Sequence, residues 1–343
     1  MNSRSKIGRV LLVGALALAA AACGDDSTEP AAESSQATDA AAPADTAAGI
    51  EPAAEGAAIT LAINPWTGSA VNANVAKVVL ESQLGTQVSF VEIDEFATWP
   101  GMEDGSIDAV LEVWPSGHAA DFETYIETNE TVVDLGELGP TAKIGWYVPT
   151  SVVTEHPELA TWEGFEDPEL AKLFATAESG DLGEFLMGDP TYVTFDEQII
   201  ANLGLPLKYQ VGGSEAAVLA AIDTAIADGT PVLVQFWKPH WKHLEADLTE
   251  VKLPDVTDEC LASAAAADGG YACDYAPDVL VKSASAALAA KNKTAFDFLS
   301  KFQLTTEQQS EIAGYIDRDG MSAADAAAKW VTDNPDVVSA WLA

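Results

Sequence analysis

Arginine is almost missing from this chain. Of 343 residues, three are arginine, at positions 4, 9 and 318. The whole basic complement is small, 16 Lys plus Arg against 54 Asp plus Glu. A surface this acidic repels nucleic acid and anionic lipid, which argues against both as partners. Cysteine is scarce, with three residues, and no histidine stands at metal spacing to any of them. No metal and no cofactor is therefore expected. The signatures of catalysis are missing too. There is no nucleophile elbow, no supported Ser/His/Asp order and no zinc motif, which leaves an exported hydrolase as a distant alternative and no catalytic residues. After residue 22 no apolar run is long enough to span a membrane.

What is present begins with a targeting segment over residues 1–22. Arg4, Lys6 and Arg9 precede the apolar run "VLLVGALALAAAA", which leads directly into Cys23 and "GDDSTEP". Small residues before a cysteine, then a polar tail, are similar to a bacterial lipoprotein signal. Cys23 would then carry the lipid anchor and hold the protein on the outer face of the cell membrane. Loss of the segment leaves 13 basic against 54 acidic residues. Residues 23–57 are rich in Ala, Ser, Thr, Pro, Asp and Glu with no aromatic residue, a composition that cannot bury a core. That stretch reads as a tether. The other two cysteines, Cys260 and Cys273, are expected to form a disulfide in an oxidising compartment. Closing such a loop is worth about 3 kcal/mol in the chain-entropy account.

The folded body alternates strand and helix patterns. "ITLAIN", "AVNANVAKVVLESQLG", "QVSFVEI", "WPGMEDGSI" and "DAVLEVW" read as β, α, β, short helix and β. Such a run favours a parallel sheet with ligands at the carboxyl ends of its strands. After "KIGWYVP" the alternation restarts, with helices near 167–176, 195–203 and 214–228, and from about 278 the chain turns helical. Ser322 and Asp325 form a capping pair, and Pro335 reads as a stop. The predicted fold class is therefore α/β, with two lobes and a ligand cleft between them. Residues 58–148 with 278–343 make the first lobe and 149–277 the second.

Four large aromatics fall at strand ends. Trp66 follows "LAIN" through Pro65, Trp114 ends "AVLEVW", Tyr192 follows "EFLM", and Trp237 ends "PVLVQFW". The other tryptophans at 99, 162, 330 and 341 sit in helical or connecting patterns and read as packing. A box of ring faces suits a quaternary ammonium, which has no N–H to offer an acceptor. Cation–π attraction contributes roughly 2 kcal/mol per ring when desolvated.

With these segments in view, the chain resembles the substrate-binding proteins of ABC importers for glycine betaine and related osmoprotectants, which share the type II periplasmic-binding-protein fold. The resemblance covers roughly residues 58–343 and rests on "INPWTGS", "VWPSGH", "DPELAKLF", "GDPTYVT" and "FWKPHW", with "AAAKWVTDNPDVVSAWL" at the C-terminal end. It implies a monomeric binder, not an enzyme, that delivers a small quaternary ammonium ligand to an ABC permease. The implied cage is Trp114, Tyr192 and Trp237, with Trp66 as a fourth wall. His118 and the backbone amides of Val193 and Thr194 would hold a betaine carboxylate. Choline-binding relatives carry an acid two residues after the first tryptophan, where this chain has Gly68. That difference favours glycine betaine over choline or carnitine. Trp146 and Tyr147 lie near the expected hinge and are candidates to border the pocket. His240 and His243 with Lys238 and Lys242 read as a solvated rim. Independently of the resemblance, no arginine stands near a strand end to clamp a carboxylate.

Overall fold

The structure, a computed structural model, describes residues 56–263 and 269–343. The targeting segment, Cys23 and the tether up to residue 55 lie outside the described residues. The described chain opens with the expected alternation: β1 (Ile59–Ile63), α1 (Thr67–Gln83), β2 (Val88–Glu92), α2 (Glu95–Asp104) and β3 (Ala109–Val113). β1 pairs in parallel with β2 and with β3, so the carboxyl ends of all three strands share one edge. α2 starts four residues before the expected Trp99, because the Asp94 side chain accepts from the Ala97 N–H at 2.7 Å and caps it.

The second alternation runs through β4 (Val132–Pro149), β5 (Gly183–Met187), α3 (Asp196–Leu203), β6 (Leu207–Val211), α4 (Glu215–Asp228), β7 (Val234–Lys238) and β8 (Leu248–Val251). β5 pairs in parallel with β6 and β7, which gives this half its own carboxyl edge. β9 (Asp278–Ser285) then returns to pair antiparallel with β3 and β4. The strand order is β2-β1-β3-β9-β4-β7-β5-β6, with β8 on β4.

β4 joins the halves. Val132–Ala142 pairs with β9, whereas from Lys143 onward the strand pairs with β7 and then β8. The passage between halves thus lies at Ala142/Lys143, within a strand that the sequence reading divided at 148. β4 is irregular where it crosses the C-terminal helices. At Gly139 (φ +125°) a Cβ would lie 2.2 Å from the Leu304 carbonyl oxygen, so only glycine fits.

The C-terminal helices are α5 (Lys293–Lys301), α6 (Thr306–Asp317), α7 (Ala323–Asp333) and α8 (Pro335–Leu342). Ser322 caps α7, its hydroxyl accepting the Asp325 N–H at 3.1 Å. Pro335 follows the end of α7 but also opens α8, where its missing N–H would have had no partner anyway. Trp330 and Trp341 pack with Phe298 and Phe302 in the core beneath α1. Cys260 and Cys273 are joined by a disulfide with Cα atoms 6.3 Å apart. Among the described residues, no helix is long and apolar enough to cross a membrane.

Candidate ligand-binding site

Because each half of the sheet is locally parallel, residues just past β1, β3 and β5, and at the end of β7, reach the seam between the halves. Trp66 comes from the β1–α1 turn and Trp114 from the end of β3. Tyr192 comes from the loop after β5 and Trp237 from β7 itself. All four line one cavity, with about 450 Å³ of space free of protein atoms, open solvent at its mouth included. Two of the walls belong to each half. Tyr192 stands between two tryptophans. Its ring centroid is 6.0 Å from that of Trp66 and 5.8 Å from that of Trp237, at interplanar angles of 76° and 88°. Edge-to-face packing of this kind favours ring geometry while leaving faces free. The Tyr192 hydroxyl donates to the Pro65 carbonyl at 2.9 Å and so ties one half to the other. Burial raises its pKa far above the usual phenol value, which keeps it a donor.

The indoles are held from behind by one carboxylate. Glu112, on the otherwise apolar β3, is 3% exposed. Its Oε1 accepts from Trp66 Nε1 at 2.7 Å and Trp114 Nε1 at 3.1 Å. Its Oε2 accepts from Asn72 Nδ2 at 2.7 Å and Gln309 Nε2 at 2.6 Å. Burial raises its pKa to about 7 against the opposing pull of these donors. This carboxylate also explains Gly68. A Cβ there would lie 2.8 Å from Glu112 Oε2, so the acid near this point comes from β3 and not from the β1–α1 turn.

The polar end of the cavity differs from the expectation. Glu95, the first residue of α2, lines the cavity beside Ser116, Gly117, Val193 and Thr194. Its Oε1 accepts the Val193 N–H at 3.2 Å. Its Oε2 lies 2.8 Å from His118 Nε2, and His118 Nδ1 lies 2.8 Å from Asp121 Oδ2. His118 is buried behind the wall and does not line the cavity. Burial disfavours its imidazolium, but the hydrogen bonds to Asp121 and Glu95 outweigh that and raise its pKa to about 9. The two donors expected to face a ligand carboxylate, the His118 ring and the Val193 amide, are here both engaged by the Glu95 carboxylate. Thr194 does line the cavity.

Gln235 was not foreseen. It lies one pleat from Trp237 on the same face of β7, lines the cavity and is 1% exposed, and its Oε1 has no hydrogen-bond partner. Glu112 and Gln235 each interrupt an apolar strand, and a buried polar side chain in such a run demands a partner. That signal could have found both. Glu95 sits one residue past an N-cap at the carboxyl edge of β2, the place where the edge rule applies.

Trp146 and Tyr147 do not border the cavity. Both are fully buried, Trp146 donating to Asp196 Oδ1 at 2.7 Å and Tyr147 to Glu250 Oε2 at 3.1 Å. Of the histidine–lysine cluster read as a solvated rim, Lys238 is exposed and His243 partly so, but the other two are not. His240 and Lys242 are buried, with His240 Nε2 2.8 Å from Glu215 Oε1. Among the described residues, Glu215, His240 and Asp317 offer ligand atoms within 4.8 Å of one another. Those atoms are already engaged. Glu215 Oε2 accepts the Thr67 N–H, and the two Asp317 oxygens accept from Thr67 Oγ1 and Trp241 Nε1.

Comparison with known proteins identifies the family and the fold. The family model for the substrate binding domain of ABC-type glycine betaine transport systems matches residues 57–333. A trimethylamine N-oxide-binding protein of Pelagibacter ubique (strain HTCC1062) is 28% identical over 297 residues, covering 84% of this chain and 92% of its own. A lactococcal protein in a closed, liganded conformation with glycine betaine is similar in structure, with TM-score 0.64 at 19% identity, covering 84% of this chain and 100% of its own. An ABC-transporter choline binding protein in complex with choline has TM-score 0.66 at 19% identity, covering 83% of this chain and 91% of its own.

Proposed function

The chain belongs to the family of substrate-binding domains of ABC-type glycine betaine transport systems, and on that premise we propose that it captures a small methylated ammonium compound in the cavity between the halves of its sheet and delivers it to an ABC permease. The observation that carries this reading is the convergence of Trp66, Trp114, Tyr192 and Trp237 on one cavity, two from each half. Ring faces attract a methylated cation that no acceptor can grip by hydrogen bond, and a closed, dry box strengthens the attraction. The head group fits between walls contributed by both halves, so binding favours the closed arrangement over an open one. Capture takes place outside the cytoplasm, with Cys23 as lipid anchor, residues 23–57 as tether and the folded body acting as a monomer. Supporting this placement are the cysteine after the apolar leader and the disulfide Cys260–Cys273.

The test is a thermal-shift panel. Choline, glycine betaine, trimethylamine N-oxide and tetramethylammonium are set against ethanolamine, glycine and ammonium. At least one methylated compound raises the melting temperature in a dose-dependent way, while the unmethylated counterparts do not. A panel in which methylation makes no difference contradicts the reading.

A further inference from the structure

Resting on the reading above, we infer that Glu95 fixes the ligand class: it fills the place of a ligand carboxylate, so the site takes a methylated ammonium compound that carries no carboxylate of its own.

The first support is charge. Among the described residues that line the cavity, Glu95 is the one charged side chain, and no lysine, arginine or histidine faces the space. A zwitterion bearing a carboxylate needs donors or a positive group at that end. Here it meets a second carboxylate, and two carboxylates in contact share the site only if one takes up a proton.

The second support is connectivity. Two of the three donors expected to greet a carboxylate are spent. Val193 N–H points to Glu95 Oε1, and both His118 ring nitrogens are within 2.8 Å of carboxylate oxygens. Glu95 is also the first residue of α2, a ten-residue helix capped by Asp94, where the helix dipole favours a negative charge. Both carboxylate oxygens of Glu95 are therefore partnered within the fold and do not need a ligand to satisfy them. Against this carboxylate the ligand's cationic head gains an opposite charge besides the ring faces.

The third support is Gln235. Its buried amide lines the same cavity, and its Oε1 is unpartnered. A short neutral tail ending in a hydroxyl can donate to that oxygen as well as accept from the amide N–H, whereas a ligand carboxylate can only accept. The cavity thus combines two side-chain acceptors, Glu95 and Gln235, with the four rings.

Isothermal titration of the wild type and of Glu95→Gln with choline, trimethylamine N-oxide, glycine betaine and tetramethylammonium tests this. The wild type is expected to bind choline at least tenfold tighter than glycine betaine. In Glu95→Gln, that preference is expected to shrink tenfold or more, because glycine betaine loses the repelling charge. Tetramethylammonium reports the cage alone, and its retained binding by the variant shows that the box is intact. Glycine betaine binding as tightly as choline, or a preference unchanged by Glu95→Gln, overturns the assignment and leaves the cage standing. Failure of every methylated ligand, tetramethylammonium included, overturns the cage reading itself, and the assignment falls with it.

Discussion

Trp66 and Trp114, separated by 48 positions in the chain, donate their indole N–H groups to the same oxygen, Glu112 Oε1, at 2.7 and 3.1 Å. Two walls of the cavity are therefore fixed by one buried carboxylate that does not itself line it. Fixing both rings in advance removes ordering entropy that ligand binding would otherwise have to overcome.

Glu112→Ala is accordingly expected to lower stability by about 2–4 kcal/mol, since four donors lose their acceptor. Affinity for the preferred ligand is expected to fall tenfold or more as the rings loosen. Glu112→Gln is expected to retain most of both. Its carbonyl can still accept from the indoles, and the unpartnered Asn72 Oδ1 and Gln309 Oε1 can rotate to accept the new amide. Urea unfolding and titration calorimetry on the two variants check this. Equal damage from both substitutions would show that geometry at the indoles is not what Glu112 supplies.

His118 gives a pH signature. Its pKa rises on folding, from 6.5 to about 9. The imidazolium's contribution is then complete below about pH 6.5 and is lost as pH rises through 9, at no more than about 1.4 kcal/mol per pH unit. Proton NMR of the His118 ring should show a midpoint near 9, and unfolding free energy should decline over the same window. A midpoint at 6.5 or lower refutes the ion-paired assignment.

Much of this fold was legible because hydrophobic periodicity and strand-end punctuation are local signals. The βαβαβ run, the caps at Ser322 and the four aromatics at strand ends could be read residue by residue. What could not be read is pairing at a distance. Nothing local says that Glu95 would take the Val193 amide 98 positions away, or that Glu112 would meet Gln309 at a separation of 197. The partners of His118 are beyond local reading for the same reason. A histidine four residues past a cage tryptophan looks available until Glu95 and Asp121 close on both its nitrogens. The place where β4 changes partners was missed because a continuous strand carries no break in its sequence pattern.

The anchor is testable in cells. Cys23→Ser is expected to move the protein from the membrane fraction to the soluble fraction, because an unacylated chain has no other apolar segment after residue 22 to hold it. Unchanged fractionation would mean that Cys23 does not carry the lipid.

The cage is the central claim, and titration of tetramethylammonium tests it most directly because that ion has nothing but a methylated head. Wild type, Trp114→Ala, Trp237→Ala and Trp162→Ala are compared by calorimetry. Trp162 lies outside the cavity lining. The account predicts that the wild type and Trp162→Ala bind alike, and that Trp114→Ala and Trp237→Ala each bind at least tenfold more weakly, a loss of about 1.4 kcal/mol or more. Unchanged affinity in both cavity variants would contradict it.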